Sequence, residues 1–275
     1  MRGPSAAWRL EQAEGLLVAV CGALEAIDAV RHVFSTRRAS DGDGAPHGFD
    51  LGGTEPGAGV EKRRLRLARA AGLADRVPIV LRQVHGDRVV WLDRDDPTAA
   101  EQPVEADGAI LVRDSPGGAV PAVRSADCVA LLLADGEGRA VAALHGGWRG
   151  TAAGIVPRAV DGLRQRGVAP RTLRAALGPA VGPCCYVVGP EVRSAIDGAL
   201  GAEAAGVFLP RAGDRCALDL HAALRLQLER AGVDPDGISA APWCTACRED
   251  LFFSHRRDGA RAGRMMALIG WAPCP

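Results

Sequence analysis

The chain has 275 residues, 48% of them hydrophobic, and its 33 basic and 33 acidic residues give a formal net charge of +0. That balance offers no electrostatic footprint for nucleic acid or an anionic membrane, so neither is expected as a partner. The length suits one large α/β domain, and no apolar run approaches the ~20 residues of a membrane span.

In chain order, residues 14–21 read as a first strand, although the apolar run resembles the middle of a signal peptide. An arginine-rich amphipathic helix follows over 60–71, stopped by Gly72. Residues 78–84 and 88–92 read as two strands joined near Gly86 and Asp87, with His85 at the turn. Pro97, Pro103 and Gly117-Gly118 mark loops. Residues 129–133 and 139–144 are short apolar runs around the turn cluster 134–138, the pattern of a β-hairpin. A helix is predicted over 151–166, where Pro157 kinks it or delays its start and Gly167 stops it. Further helices are predicted over 190–200, with proline in the first turn, and over 221–231, capped by Asp219. Gly201 to Gly206 form a loop, and 264–271 reads as a last strand. No repeat or flexible linker breaks the pattern. The expectation is a single compact α/β domain over 31–275 with mixed β-sheets and flanking helices, preceded by an N-terminal segment, 1–30, with no assigned role.

The hairpin carries the chemistry. Folded about its midpoint, it sets Cys128 directly opposite His145, and opposed residues have Cβ atoms roughly 4.5–5.5 Å apart on one face. A cysteine beside a strand is usually a small buried hydrophobe. Here, however, Asp127-Cys128 precedes the apolar run, and His145 opens the glycine-rich loop 146–150. His85 is the third candidate, and His85, Cys128 and His145 together make a His2Cys set. Three protein ligands with an open fourth position is the pattern of catalytic zinc. Copper also favours such nitrogen and sulfur donors. Arg149 follows the glycines at a predicted helix N-terminus, a place suited to an anion, or else is a surface residue beside a plain cap. Phe252-Phe253 and Ser254-His255-Arg256-Arg257 suit a purine and its phosphate, or else are core residues with a solvated rim.

The eight cysteines are 21, 128, 184, 185, 216, 244, 247 and 274. Their irregular spacing in a chain this long argues against a disulfide framework. Cys244-Thr245-Ala246-Cys247 has no second CxxC and no thioredoxin-like surroundings, so neither a structural zinc nor a redox role is expected of it. A thiolate metal site suits a reducing cytoplasm, the expected location.

Several blocks in order carry a resemblance: FSTRR at 34–38, FDLGG at 49–53, QVHG at 83–86, ADG at 106–108, ADC at 126–128 and HGGWRG at 145–150. LGPAVGPCCYVVGPEV at 177–192, LDLHAALRLQLERAGV at 218–233 and CTACREDLFFSHRRDGARAGR at 244–264 continue it. From about residue 34 to its end the chain resembles the laccase-domain family, whose members are also called polyphenol-oxidase-like proteins, purine nucleoside phosphorylases and peptidoglycan editing factors. It departs from the family in lacking an asparagine before the arginine at 61–63, in Ala130 where proline is common, and in HGGWRG for HAGWRG.

The resemblance implies an α/β fold with mixed sheets. It also implies phosphorolysis of adenosine, inosine, guanosine or 5′-methylthioadenosine, with hydrolytic deamination of adenosine. Small-molecule nucleoside and phosphate are then the partners, and zinc is the cofactor on His85, Cys128 and His145. Arg149 and Arg37 are phosphate candidates, Gln83, Asp127 and Ser125 support or act as a base, and Phe253 and Arg257 contact substrate. Alternatives are a copper polyphenol oxidase, an amidase editing a peptidoglycan precursor, and a non-catalytic metal- or nucleotide-binding protein. Six histidines without any His-x-His pair argue against a multicopper mechanism. Oligomeric state is not legible.

Overall fold

The computed structural model describes residues 7–40, 48–52, 58–92, 103–113, 115, 118–212 and 215–272. The expected loop positions Pro97 and Gly117 lie outside the described residues. Two six-stranded sheets form the centre. In the first, β1 (Trp8–Ala13), β2 (Leu16–Cys21), β3 (Val30–Ala39), β15 (Met265–Trp271), β7 (Ala119–Ser125) and β4 (Val77–Val80) lie side by side in that order. In the second the order is β14 (Ile238–Ala240), β10 (Leu173–Leu177), β8 (Val129–Asp135), β9 (Ala140–Gly146), β6 (Gly108–Val112) and β5 (Val89–Trp91). A small third sheet joins β11 (Val187–Val188), β13 (Cys216–Leu218) and β12 (Phe208–Pro210). The helices are α1 (Gly22–Glu25), α2 (Ala58–Ala70), α3 (Trp148–Ala153), α4 (Ile155–Gln165), α5 (Pro190–Leu200), α6 (Leu220–Arg230) and α7 (His255–Asp258).

Alternation along β8 explains the layering. Ala130, Leu132 and Ala134 face the first sheet, where they meet Phe34, Val123 and Ile269. Val129, Leu131 and Leu133 face the other way, onto Ile155 and Val160 of α4 and Leu224 and Leu228 of α6. On the outer face of the first sheet, Val18 and Leu268 pack on Leu67 of α2. A strand buried on both faces reads as an unbroken apolar run, as β8 does. Each fully buried leucine side chain contributes about 1.5–3 kcal/mol of burial. The architecture is a single compact α/β domain with mixed sheets and flanking helices, as expected. No helix among the described residues is long and apolar enough to cross a membrane.

Local departures have physical reasons. β1 and β2 form a hairpin, Trp8 opposite Cys21, and β2 pairs with β3, so residues 8–21 extend the first sheet. Residues 78–84 and 88–92 are not a hairpin: β4 pairs parallel with β7 in one sheet and β5 parallel with β6 in the other. The helix expected from 151 begins at Trp148 and is broken by Gly154, whose φ of +89° and ψ of 39° are left-handed. Pro157 lies in the first turn of α4, where its missing N–H goes unneeded. Asp219 caps α6 as expected, accepting from the Ala222 N–H.

Candidate metal centre and cleft

The β8–β9 hairpin opens toward one end of the sheet pair. Its register sets Ala130, not Cys128, opposite His145, two residues from the expected pairing. The turn causes the shift. The Asp135 carboxylate accepts from the Arg139 backbone N–H and, at 2.6 Å, from its guanidinium, holding Arg139 out of β9. A shift of two keeps side chains on the same face. Cys128 and His145 therefore still converge, now diagonally, and Gly147 falls beside Cys128. A Cβ on Gly147 would lie 2.9 Å from Cys128 Sγ and 3.3 Å from His85 Cδ2. Its φ of −84° is open to any residue, so the requirement for glycine is steric. Gly147→Ala is accordingly expected to fold but to weaken metal binding at this cluster about tenfold or more, the scale of a disturbed ligand surround. Chelator competition measures this, and wild-type affinity would contradict the crowding.

His85 stands on the crossover between the sheets, between β4 and β5. Its φ of +62° is left-handed, a conformation unusual outside glycine. One fully buried residue, Asp107 at the mouth of β6, holds it there. Asp107 accepts backbone N–H groups from Val84 (3.1 Å), His85 (2.9 Å) and Gly86 (2.8 Å). The same carboxylate meets His145 Nδ1 at 2.9 Å, which leaves Nε2 for the centre. The donor atoms of His85, Cys128 and His145 all lie within 4.8 Å of one another, close enough for small rotations to bring all three onto one ion. With tetrahedral zinc, bonds of about 2.0–2.3 Å and a free fourth position fit this donor set. Burial alone would raise the Cys128 thiol, but the charge and hydrogen bond of His145, with the hydrogen bond to His85, bring it down to about 6. Thiolate is the form that binds metal. Burial pushes His145 the other way, yet the Cys128 charge and Asp107 raise it to about 9.

A cleft of about 750 Å³ opens over this cluster. Of the other expected residues, Gln83, Ser125, Asp127 and Arg149 line it. Gln83 and Asp127 are already engaged. The Gln83 amide donates to the Arg124 carbonyl at 2.8 Å and accepts its N–H at 2.9 Å. Asp127, at φ +95°, accepts from Thr245 Oγ1 (2.6 Å) and the Arg256 N–H (2.5 Å). Both therefore hold loops in place. Arg149 lies inside the six-residue α3, its guanidinium 4.3 Å over the Trp148 ring.

Arg37, Phe253 and Arg257 sit elsewhere. Phe253 is 2% exposed and packs with Leu251, Phe252 and Met265. Arg37 stacks on it and donates to the Glu249 carbonyl. Arg257 is taken up by Asp258 and by the carbonyls of Thr245, Ala246 and Phe252. In their place the fold brings Arg124, Arg256 and Arg264, with Tyr186 and His255, to the cleft wall. Burial, followed by the charges of Arg64 and Arg264, lowers the Arg124 guanidinium to about 10. Excess positive charge packed this closely favours an incoming anion.

A model of the family described as multi-copper polyphenol oxidoreductase laccase matches residues 31–272. A protein of Xylella fastidiosa named purine nucleoside phosphorylase is 39% identical over 217 residues, 78% of this chain and 79% of its own length. Purine nucleoside phosphorylase YlmD of Geobacillus stearothermophilus is 36% identical over 214 residues, 77% of this chain and 78% of its own. The crystal structure of YlmD from Geobacillus stearothermophilus superposes with a TM-score of 0.82 at 32% identity, covering 95% of this chain and 97% of that one.

Proposed function

The chain belongs to the multi-copper polyphenol oxidoreductase laccase family, and from that premise we propose that it is a zinc-dependent purine nucleoside phosphorylase with adenosine deaminase activity. The observation that carries this reading is one cleft lined by both a His2Cys donor set and four arginines, Arg124, Arg149, Arg256 and Arg264. The names of the relatives support the same reaction class. Zinc on His85, Cys128 and His145 would act as a Lewis acid and acidify a water. Zinc is favoured over copper because neither reaction transfers electrons.

In phosphorolysis the arginines bind phosphate and aim one of its oxygens at the ribose carbon that bears the base. The C–N bond breaks as the new C–O bond forms, and the base leaves with a proton. Bidentate guanidinium contacts suit the phosphate. Trp148 and Tyr186 offer aromatic faces for the purine, and burial keeps the Tyr186 hydroxyl protonated, first by desolvation and then by the Cys128 charge. His255 on the cleft wall has the chemistry to carry a proton in deamination. Asp107 and Asp127 position the loops that bear the reacting groups.

The test is a product screen by mass spectrometry. Zinc-loaded chain receives adenosine, inosine or 5′-methylthioadenosine, with and without phosphate. Free base and ribose 1-phosphate, or the methylthio sugar phosphate, are expected only with phosphate, and inosine from adenosine either way. No turnover of any of them overturns the reading. Arg149→Lys keeps the charge but loses the fork, so phosphate binding should weaken by roughly 1.5–3 kcal/mol while deamination suffers less. Equal losses in both assays would make Arg149 a support for the fold of the cleft.

A further inference from the structure

The structure assigns a second metal site, a four-thiolate zinc site made by Cys184, Cys185, Cys244 and Cys247. In the sequence these are an adjacent pair and a CxxC, 59 residues apart. The fold removes that separation. Ala180 bridges to Cys244, and the Thr245 N–H donates to the Ala180 carbonyl at 2.9 Å, so the two segments run side by side. The adjacent pair sits in a tight turn closed by the Cys185 and Tyr186 N–H groups on the Gly182 carbonyl, which lets both side chains point the same way.

All four sulfurs lie within 4.8 Å of one another. Cys247 Sγ is 3.6 Å from Cys184 Sγ and 3.4 Å from Cys185 Sγ. Zinc–thiolate bonds of about 2.3 Å at tetrahedral angles need sulfurs about 3.8 Å apart, so a slight spreading admits the ion. Four thiolates leave no open position, the arrangement of a structural site. The surroundings suit the resulting negative charge. The Gly182 N–H donates to Cys244 Sγ at 3.2 Å, the kind of support that orients a ligand. Arg211 and Arg256 donate to the Pro183 and Cys185 carbonyls beside it. Cys184 and Cys247 are exposed, and a bound ion would protect thiols otherwise open to oxidation.

The site is joined through both of its segments to the cleft wall. One clamped segment continues into Tyr186 on the cleft wall, and the other carries Thr245, which holds Asp127. The ion would fasten these two walls together, and its binding releases only thiol protons. None of this depends on the reaction proposed for the cleft.

The test counts metal. The full chain, purified under reducing conditions with zinc, is expected to hold about two zinc ions. Cys128→Ala should hold about one, and so should the double variant Cys184→Ser/Cys247→Ser, which loses the other ion. The second measurement starts from a chain with the four cysteines intact. Cobalt-loaded Cys128→Ala should show the intense near-ultraviolet thiolate-to-cobalt band of a tetrathiolate site, and adding Cys247→Ser should abolish or sharply weaken it. A metal-free Cys128→Ala or no such cobalt band would each overturn the site. Because the cobalt spectrum needs no serine variant to fold, it decides the matter alone.

Discussion

Cys128→Ala is expected to remove the metal proposed for the cleft and to lower kcat/KM for the proposed phosphorolysis and deamination by about 1000-fold or more, the several kcal/mol that metal catalysis supplies. Cys128 is the only anionic candidate ligand of its set, and the two remaining imidazoles cannot hold a divalent metal at a comparable affinity. The chain should still unfold cooperatively. The neighbours that pack β8, Val129 and Leu131, are untouched, and the substitution removes a charged sulfur from a partly buried place. Elemental analysis, thermal unfolding and turnover on one preparation check this. A well-folded variant that lacks the metal and retains full activity would separate the His2Cys cluster from catalysis.

Asp107→Asn should have the second-largest effect, because one carboxylate serves three backbone donors and one imidazole. The amide keeps the size but turns an NH2 toward groups that donate. Metal affinity should fall about 10–100-fold, the range for losing the partner of a ligating histidine. Stability should fall as well, by about 1.5–3 kcal/mol for each charge-assisted hydrogen bond lost. The carboxylate is held below its usual range despite burial, mainly by its bond to His145, so the wild-type site contains an anion that the variant lacks. Chelator competition and denaturant unfolding together test the claim. Wild-type metal affinity in the variant would show that His145 is oriented by something else.

The hairpin bearing Cys128 and His145 was legible because turn residues and apolar runs are local signals. Its register was not, since Arg139 could be placed in the turn only by knowing that Asp135 would bind it. His85 was found by its chemistry although its setting was misread. Short strands with parallel partners in different sheets leave no local trace, and two of them separated by glycine imitate a hairpin. Asp107 lay in a recognised block, ADG, yet nothing in its spacing tied it to a histidine 38 residues on. The arginines show the limit most plainly. Arg256 and Arg257 are neighbours in sequence and both guanidiniums donate to carbonyls, but the short helix sets only Arg256 on the cleft wall, against Cys185 and Val187, while Arg257 is held by Thr245, Ala246 and Phe252. Arg124, near the end of the interior strand β7, carries no motif and still lines the cleft. The cysteine pairs stayed unrelated until Ala180 and Cys244 were seen to bridge.

The hold of Asp107 on the segment 84–86 has a thermodynamic corollary. The unusual backbone of His85 is fixed by hydrogen bonds that do not involve a metal, and Nδ1 of His145 is anchored by the same carboxylate. The ligands are thus ordered before any ion arrives, and capture freezes few additional rotations. Small zinc modules gain their fold from the ion and come apart in chelator. This centre works in the opposite sense: the two sheets supply the order, and the ion enters a seat already formed. Its occupancy can then follow metal supply over a wide range while the protein stays folded and ready to be recharged.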